Sequence, residues 1–243
     1  MTDARLRAFA SYVALGDSIS IDKYPGLGLG AASLLCRNHD ERFPEFAGRD
    51  LTTLNPGIVL TNLARDGATT HDVLRILDTE LQGETPGPVL VTLTVGGNDF
   101  LGSLFRMGED PASAIVERID GLIPEIRSRL APALILLATV YDPTDGVGDL
   151  WAEHQSHPMA ETAFRSLNDG IRAIADRHSE VSVADVHAHF LGHGKHHEDP
   201  RNPHYRADDP SCWVKLRIEP NTRGGSEVRR VFWTSLSEWR PAR

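Results

Sequence analysis

The sequence predicts an α/β fold on a parallel five-stranded sheet, and three observations carry that expectation. Five short, β-branched apolar segments recur along the chain, amphipathic stretches of helical period lie between them, and no low-complexity linker or internal repeat divides the 243 residues. Strands that read as near-continuous apolar runs are those covered on both faces, as in a parallel sheet between two helical layers. The strands are expected at 11–16 (SYVALG), 58–64 (IVLTNLA), 89–96 (VLVTLTVG), 133–141 (ALILLATVY) and 181–187 (VSVADVH). Each ends in or beside Gly, Asp or Asn, the residues that turn a chain out of a sheet.

Helices are expected at 70–81, where Val73, Leu74, Leu77 and Leu81 share a face, and at 112–130 and 159–177. Two long stretches, 20–57 and 188–216, carry many Gly, Pro, His and Asp with little periodicity and are expected to be functional loops or lids. A single domain over 1–243 is the expectation, because no low-complexity linker divides the chain.

Charge and composition remove several classes of function. With 25 Lys and Arg against 34 Asp and Glu the net charge is −9, and the one basic cluster, 217–230, is interrupted by Glu219 and Glu227. Nucleic-acid binding draws its affinity from clustered cations, so no nucleic-acid partner is expected. The longest apolar run, 131–140, contains Pro132 and is of strand length, so no membrane span is expected. The apolar stretch near the N-terminus is short and polar-interrupted, and Cys36 and Cys212 are far apart with no metal or redox spacing; a cytoplasmic location with free thiols is the expectation. The acidic balance by itself selects no substrate, and the sequence leaves the oligomeric state open.

In a parallel sheet the ligand site lies beyond the carboxyl ends of the strands. Strand 11–16 runs into GDSI, which places Ser18 after a sharp turn where free backbone N–H groups favour an oxyanion. The plain alternative is that Ser18 only caps a helix. Strand 58–64 runs into ARDGATT, where Gly67 lets a backbone N–H approach the same point, and strand 89–96 into GGND, where Asn98 offers an amide N–H. Taken singly these are ordinary turn residues; three oxyanion-type donors after three successive strands suit a tetrahedral acyl intermediate. Asp17 beside Ser18, and Arg65 with Asp66 before Gly67, are expected to shape the site, the charged pair by fixing the turn.

The blocks GDSI at 16–19, ARDGATT at 64–70 and GGND at 96–99, in this order, resemble the first three motifs of the GDSL or SGNH hydrolase family. The resemblance implies a three-layer α/β/α, flavodoxin-like fold and serine-dependent hydrolysis of small or medium acyl esters. It further implies Ser18 as the nucleophile, an oxyanion hole from the Ser18 and Gly67 N–H groups and the Asn98 amide, no metal or organic cofactor, and a small-molecule ester as the partner. The fourth motif departs. Where the family has DxxH followed by PN, this chain reads LRIEPN at 216–221, with Leu216 in place of the Asp and Glu219 in place of the His.

Three readings of Glu219 follow. Its carboxylate, with a pKa raised by burial, acts as general base. An imidazole from the HAHFLGHG segment does so instead, His193 ahead of His187 and His189, oriented by Glu219 or Asp185. Or the protein is catalytically silent and binds an acyl or sugar ligand. Apart from these roles, Glu219 would be a helix-start carboxylate paired with Arg223, Arg229 or Arg230.

Six of the eleven histidines fall between His187 and His204. His187 and His189 on one face of a strand, with His193, His196, His197, Glu198, Asp199 and His204, form a donor set for a metal-assisted hydrolase, although the spacing fits no zinc signature. A solvated, flexible loop is the simpler expectation for this stretch. Trp213, Trp233 and Trp239 would roof a substrate pocket or pack the last helix, with packing favoured for Trp233.

Overall fold

A computed structural model describes residues 6–81, 83–103, 111–150 and 158–240, with side chains described from 162 onward in the last of these. The expected helix 159–177 therefore begins where side chains lie outside the described residues, as does the start of the N-terminal segment. The sheet holds five parallel strands: β1 (Ser11–Gly16), β2 (Val59–Asn62), β3 (Val89–Thr94), β4 (Pro132–Ala138) and β5 (Val181–Ala184). Their order is β2-β1-β3-β4-β5, the flavodoxin-like arrangement. Because β2 and β3 pair on opposite sides of β1, the chain leaves the β1 and β3 ends in opposite directions and a crevice opens there.

Strand alternation assigns the two faces. Val13, Leu15, Val91, Leu93, Ile135 and Leu137 pack beneath α3 (Thr70–Thr79), α5 (Pro111–Leu130) and α6 (Pro158–Ala175). Tyr12, Ala14, Leu90, Leu134, Leu136 and Ala138 pack on the other side against α1 (Ala31–Cys36), α2 (Leu51–Leu54), α7 (Val186–Phe190) and α8 (Thr222–Glu238). Helix α4 (Gly97–Ser103) follows β3, and a two-stranded antiparallel hairpin, β6 (Val214–Lys215) and β7 (Glu219–Pro220), leads into α8.

Several expectations are corrected. β2 is an edge strand and not a buried one, with Val59 65% exposed. In α3 the buried face is Val73, Ile76 and Leu77, while Leu74 points outward. The stretch 20–57 is not a lid: α1 and α2 fill the layer over Tyr12 and Ala14, and Phe43 and Phe46 bury with Leu29 and Leu34. β5 stops at Ala184 because Asp185 caps α7, its carboxylate accepting from Ala188 N. His187 and His189 thus lie on a helix and not on one face of a strand.

Candidate active site

The turn after β1 is set by a close approach of two strand ends. Gly16 has φ +121° and a Cβ there would meet the Thr94 carbonyl at 1.8 Å, so glycine alone fits. Asp17 N donates to the Thr94 carbonyl (2.9 Å), and Ser20 Oγ lies 3.0 Å from Thr94 Oγ1. Ser18 begins a single 3-10 turn, Ser18–Ser20, whose cap is Asp17, with its carboxylate accepting from Ile19 N (3.1 Å). Ser18 is therefore not the cap, and a turn this short adds backbone N–H groups but little dipole.

The second and third blocks are tied to each other. Asn98 Nδ2 donates to the Ala68 carbonyl (3.0 Å), and the Asp99 carboxylate accepts from Thr70 N (2.9 Å) and Thr70 Oγ1 (2.6 Å). Arg118 completes the tie, donating to Thr70 Oγ1 and to Asp99. Gly67 sits in an exposed turn at φ +73°, a conformation glycine adopts without cost. Arg65 and Asp66 do not pair with each other as expected: Arg65 pairs with Glu80, and Asp66 with Lys23 and Tyr24.

A cavity of about 130 Å³ opens over the ends of β1, β3 and β4. Asp17, Ser18 and Asn98 line it, and Phe100, Val140 and Phe164 supply apolar wall. Gly67 is not among its lining residues. Among the lining residues that the sequence did not single out are Tyr141 and Ile218. Tyr141 closes the segment after β4, a position where chemistry was expected, and its hydroxyl donates to the Ile218 carbonyl, which fastens the β6–β7 hairpin over the site.

That hairpin brings Glu219 to Ser18. The Ser18 hydroxyl faces the Glu219 carboxyl and steadies its ionised form, yet Oε2 is buried with no hydrogen-bond partner among the described residues. Burial raises the Glu219 pKa above its ordinary 4.5, and the negative Asp66 adds to this; Ser18, Lys23 and Lys215 pull it back. Asp17, 5% exposed, is pushed by burial to about 7, with the Glu219 charge adding and the Ile19 and Thr94 hydrogen bonds opposing. Two carboxyls with raised pKa values, Glu219 facing Ser18 and Asp17 in the preceding position, therefore lie close enough to feel each other's charge.

The arginines expected to pair with Glu219 are engaged elsewhere. Arg223 and Arg230 bind Glu227, and Arg229 is buried over the Phe46 ring and donates to Asn38 and Ser226.

The histidine-rich stretch does not meet Ser18. His193 lines a second cavity, with His189, Trp213 and Glu227, and no histidine among the described residues lines the Ser18 cavity. His193 is 5% exposed, stacks on Trp213 (3.4 Å between ring centroids), and its Nδ1 donates to the Ser211 carbonyl (3.0 Å); burial lowers its pKa. His189 Nε2 bonds the Glu227 carboxylate (2.8 Å). Asp185 is held by Arg172, at 3.0 Å through both Nε and Nη2, and is not paired with an imidazole among the described residues.

Nor is this stretch a solvated loop. Asp145, 1% exposed, accepts backbone N–H groups from Gly192, Gly194 and His196, while Asp149 binds Lys195 and His196. Among the described residues no group of three or more His, Cys, Asp or Glu is disposed to hold a metal ion. Trp213 lines the second cavity, and Trp233 within α8 and Trp239 at its end pack against the core, so none of the three lines the Ser18 cavity.

Comparison with known proteins gives the chain a family. Residues 14–224 match the model of the GDSL-like Lipase/Acylhydrolase family, a span that includes Ser18, Gly67, Asn98 and Glu219. A search of curated protein sequences returned no match. Among solved structures, a member of the lipolytic G-D-S-L family from Veillonella parvula superposes with TM-score 0.63 at 15% identity, covering 94% of this chain and 99% of that one. Phospholipase A1 from Streptomyces albidoflavus gives 0.59 at 21%, covering 94% and 100%. An acetyl xylan esterase from Geobacillus stearothermophilus gives 0.61 at 17%, covering 96% and 97%. At these identities the likenesses speak for the fold, which agrees with the strand order described above.

Proposed function

Because the chain belongs to the GDSL-like lipase/acylhydrolase family, we propose that it is an acyl ester hydrolase in which Ser18 is the nucleophile and Glu219 fills the role of the family's histidine. The carrying observation is the contact between the Ser18 hydroxyl and a buried carboxyl whose Oε2 has no donor. A carboxylate in water is a poor base for an alcohol; stripped of hydration it binds a proton more strongly and its basicity approaches the working range.

Ser18 Oγ attacks the ester carbonyl as its proton passes to the Glu219 carboxylate. The oxyanion is held by the Ser18 and Gly67 backbone N–H groups and by Asn98 Nδ2, whose tie to Ala68 keeps the two loops in register. Collapse expels the alcohol, which takes the proton from Glu219, and leaves acyl-Ser18. Water then attacks the acyl group, Glu219 again accepts a proton, and the carboxylic acid leaves with Ser18 restored. The apolar wall of Phe100, Val140 and Phe164 suits a small or medium acyl group.

A second reading, a catalytically silent protein that holds an acyl or sugar ligand, draws on the lack of an imidazole at Ser18 among the described residues. Hydrolysis of short p-nitrophenyl esters separates the two. The wild type is expected to turn over and Ser18→Ala to lose turnover; the absence of turnover at every pH would leave the binding reading.

A further inference from the structure

Two of the most exposed apolar side chains of the described residues sit on tips that flank the same helix start. Leu27 is 94% exposed and Leu216 is 72% exposed. Thr222 Oγ1, in the first turn of α8, donates to the Pro25 carbonyl (2.6 Å), and Gly225 lies against Pro25 and the Leu29 carbonyl. The β6–β7 hairpin runs into that same turn and carries Leu216 at its tip. Both tips belong to segments bordering the site: the field of Glu219 reaches Tyr24, and those of Lys23 and Lys215 reach Glu219.

Both tips are built stiffly. The Asp22 carboxylate accepts the N–H groups of Gly28 (2.9 Å) and Gly30 (2.8 Å), which holds Leu27 outward between two glycines of positive φ. The hairpin tip places Leu216 at φ +48° and Arg217 at φ +76°, a region where Asn or Gly is the stable choice. An apolar side chain at a β-hairpin tip in left-handed backbone costs stability twice, through strain and through exposure. Leu216 also stands where the family motif has Asp. Its neighbours Lys215 and Arg217 are exposed, so the tip reads cation, leucine, cation.

We propose that the Leu27 and Leu216 tips dock the protein on an anionic lipid surface, with the mouth of the Ser18 cavity turned towards it. Two isolated tips are too narrow for a folded protein partner, which would bury roughly 800 Å² on each side, but they suit a deformable layer that takes each leucine singly. At the Leu216 tip the exposed Lys215 and Arg217 meet anionic headgroups within the screening length, where nearby charge counts for more than the net charge of −9, while the Leu27 tip adds its apolar side chain.

Flotation of the full chain with phosphatidylcholine vesicles, with and without phosphatidylglycerol, tests this. The wild type is expected to float with the anionic vesicles at low salt and to release as salt rises. Leu27→Ser and Leu216→Asn are each expected to weaken partition about tenfold, and Leu216→Asn not to lower the melting temperature, since Asn relieves the backbone. Flotation needs no turnover, so Ser18→Ala is expected to float as the wild type does, and the outcome is separable from that of the hydrolase reading. No association, association indifferent to both leucines, or a dimer in sedimentation equilibrium that Leu216→Asn dissociates would overturn the docking proposal.

Discussion

Two buried glutamates in this fold have opposite fates. Glu227, 1% exposed in α8, is met by His189, Arg223 and Arg230, and these partners hold its pKa down at about 2 despite burial. Glu219, 8% exposed on β7, faces a serine hydroxyl, has an oxygen without a donor, and is raised. The lesson is that burial alone does not decide what a carboxylate does. Paired three ways it is an anchor that stays ionised; set against a hydroxyl and another raised carboxyl it is ready to take a proton. His189 belongs to the anchored side of this division, and among the described residues no histidine lines the Ser18 cavity.

The sharpest way to break this contrast is to neutralise each carboxylate in turn. Glu219→Gln is expected to lower kcat by about 10²–10⁴-fold with little change in KM, the span expected for losing a general base. The acid limb of the wild-type kcat/KM profile is expected above pH 4.5, since activity falls as Glu219 takes up its proton, and to vanish in the variant. Steady-state kinetics against pH reads both.

Next in size is Asp17. Its pKa rises from 3.8 to about 7 on folding, so the fold binds a proton more tightly than the unfolded chain does. The stability this contributes is full below pH 3.8 and is lost as pH rises through about 7. Asp17→Asn keeps an N-cap acceptor and is expected to gain on the order of 3 kcal/mol relative to the wild type at pH 8, with a much smaller difference near pH 4. Urea unfolding at the two pH values measures it.

Glu227 runs the other way. Its folded pKa lies at about 2 against an ordinary 4.5, so its contribution is full above 4.5 and lost as pH falls towards 2. Glu227→Gln is expected to cost about 2 kcal/mol at neutral pH, allowing for partly exposed cations, while leaving ester hydrolysis in place. The smallest effect expected is that of His193→Ala on rate, a change in kcat within about threefold, because the ring serves Trp213 and not Ser18.

Much of this was legible from residues. β1 was read to its observed ends, and β3 needed only its last two residues removed, because apolar β-branched runs ending in Gly have few alternatives. The signal for the early end of β5 was present in Asp185, a capping residue, but an apolar run of strand length masked a five-residue helix. Helices α1 and α2, six and four residues long, are too short to show a period, so 20–57 read as loop. At the site, Ser18, Asn98 and Glu219 were named from motif positions. The surroundings that distinguish Glu219 from Glu227 were not legible, since they depend on a hairpin fastened by Tyr141 to Ile218 and on partners gathered from α7 and α8. His193 looked apt because it follows β5, yet its backbone is turned away by the buried Asp145.

The most direct test of Glu219 as the base of Ser18 is the rate at which a fluorophosphonate labels Ser18, followed by intact mass across pH. The wild type is expected to label with a rate that rises as Glu219 ionises, Glu219→Gln to label at least about a hundredfold more slowly at every pH, and Ser18→Ala not to label. Labelling of folded Glu219→Gln at the wild-type rate would contradict the account.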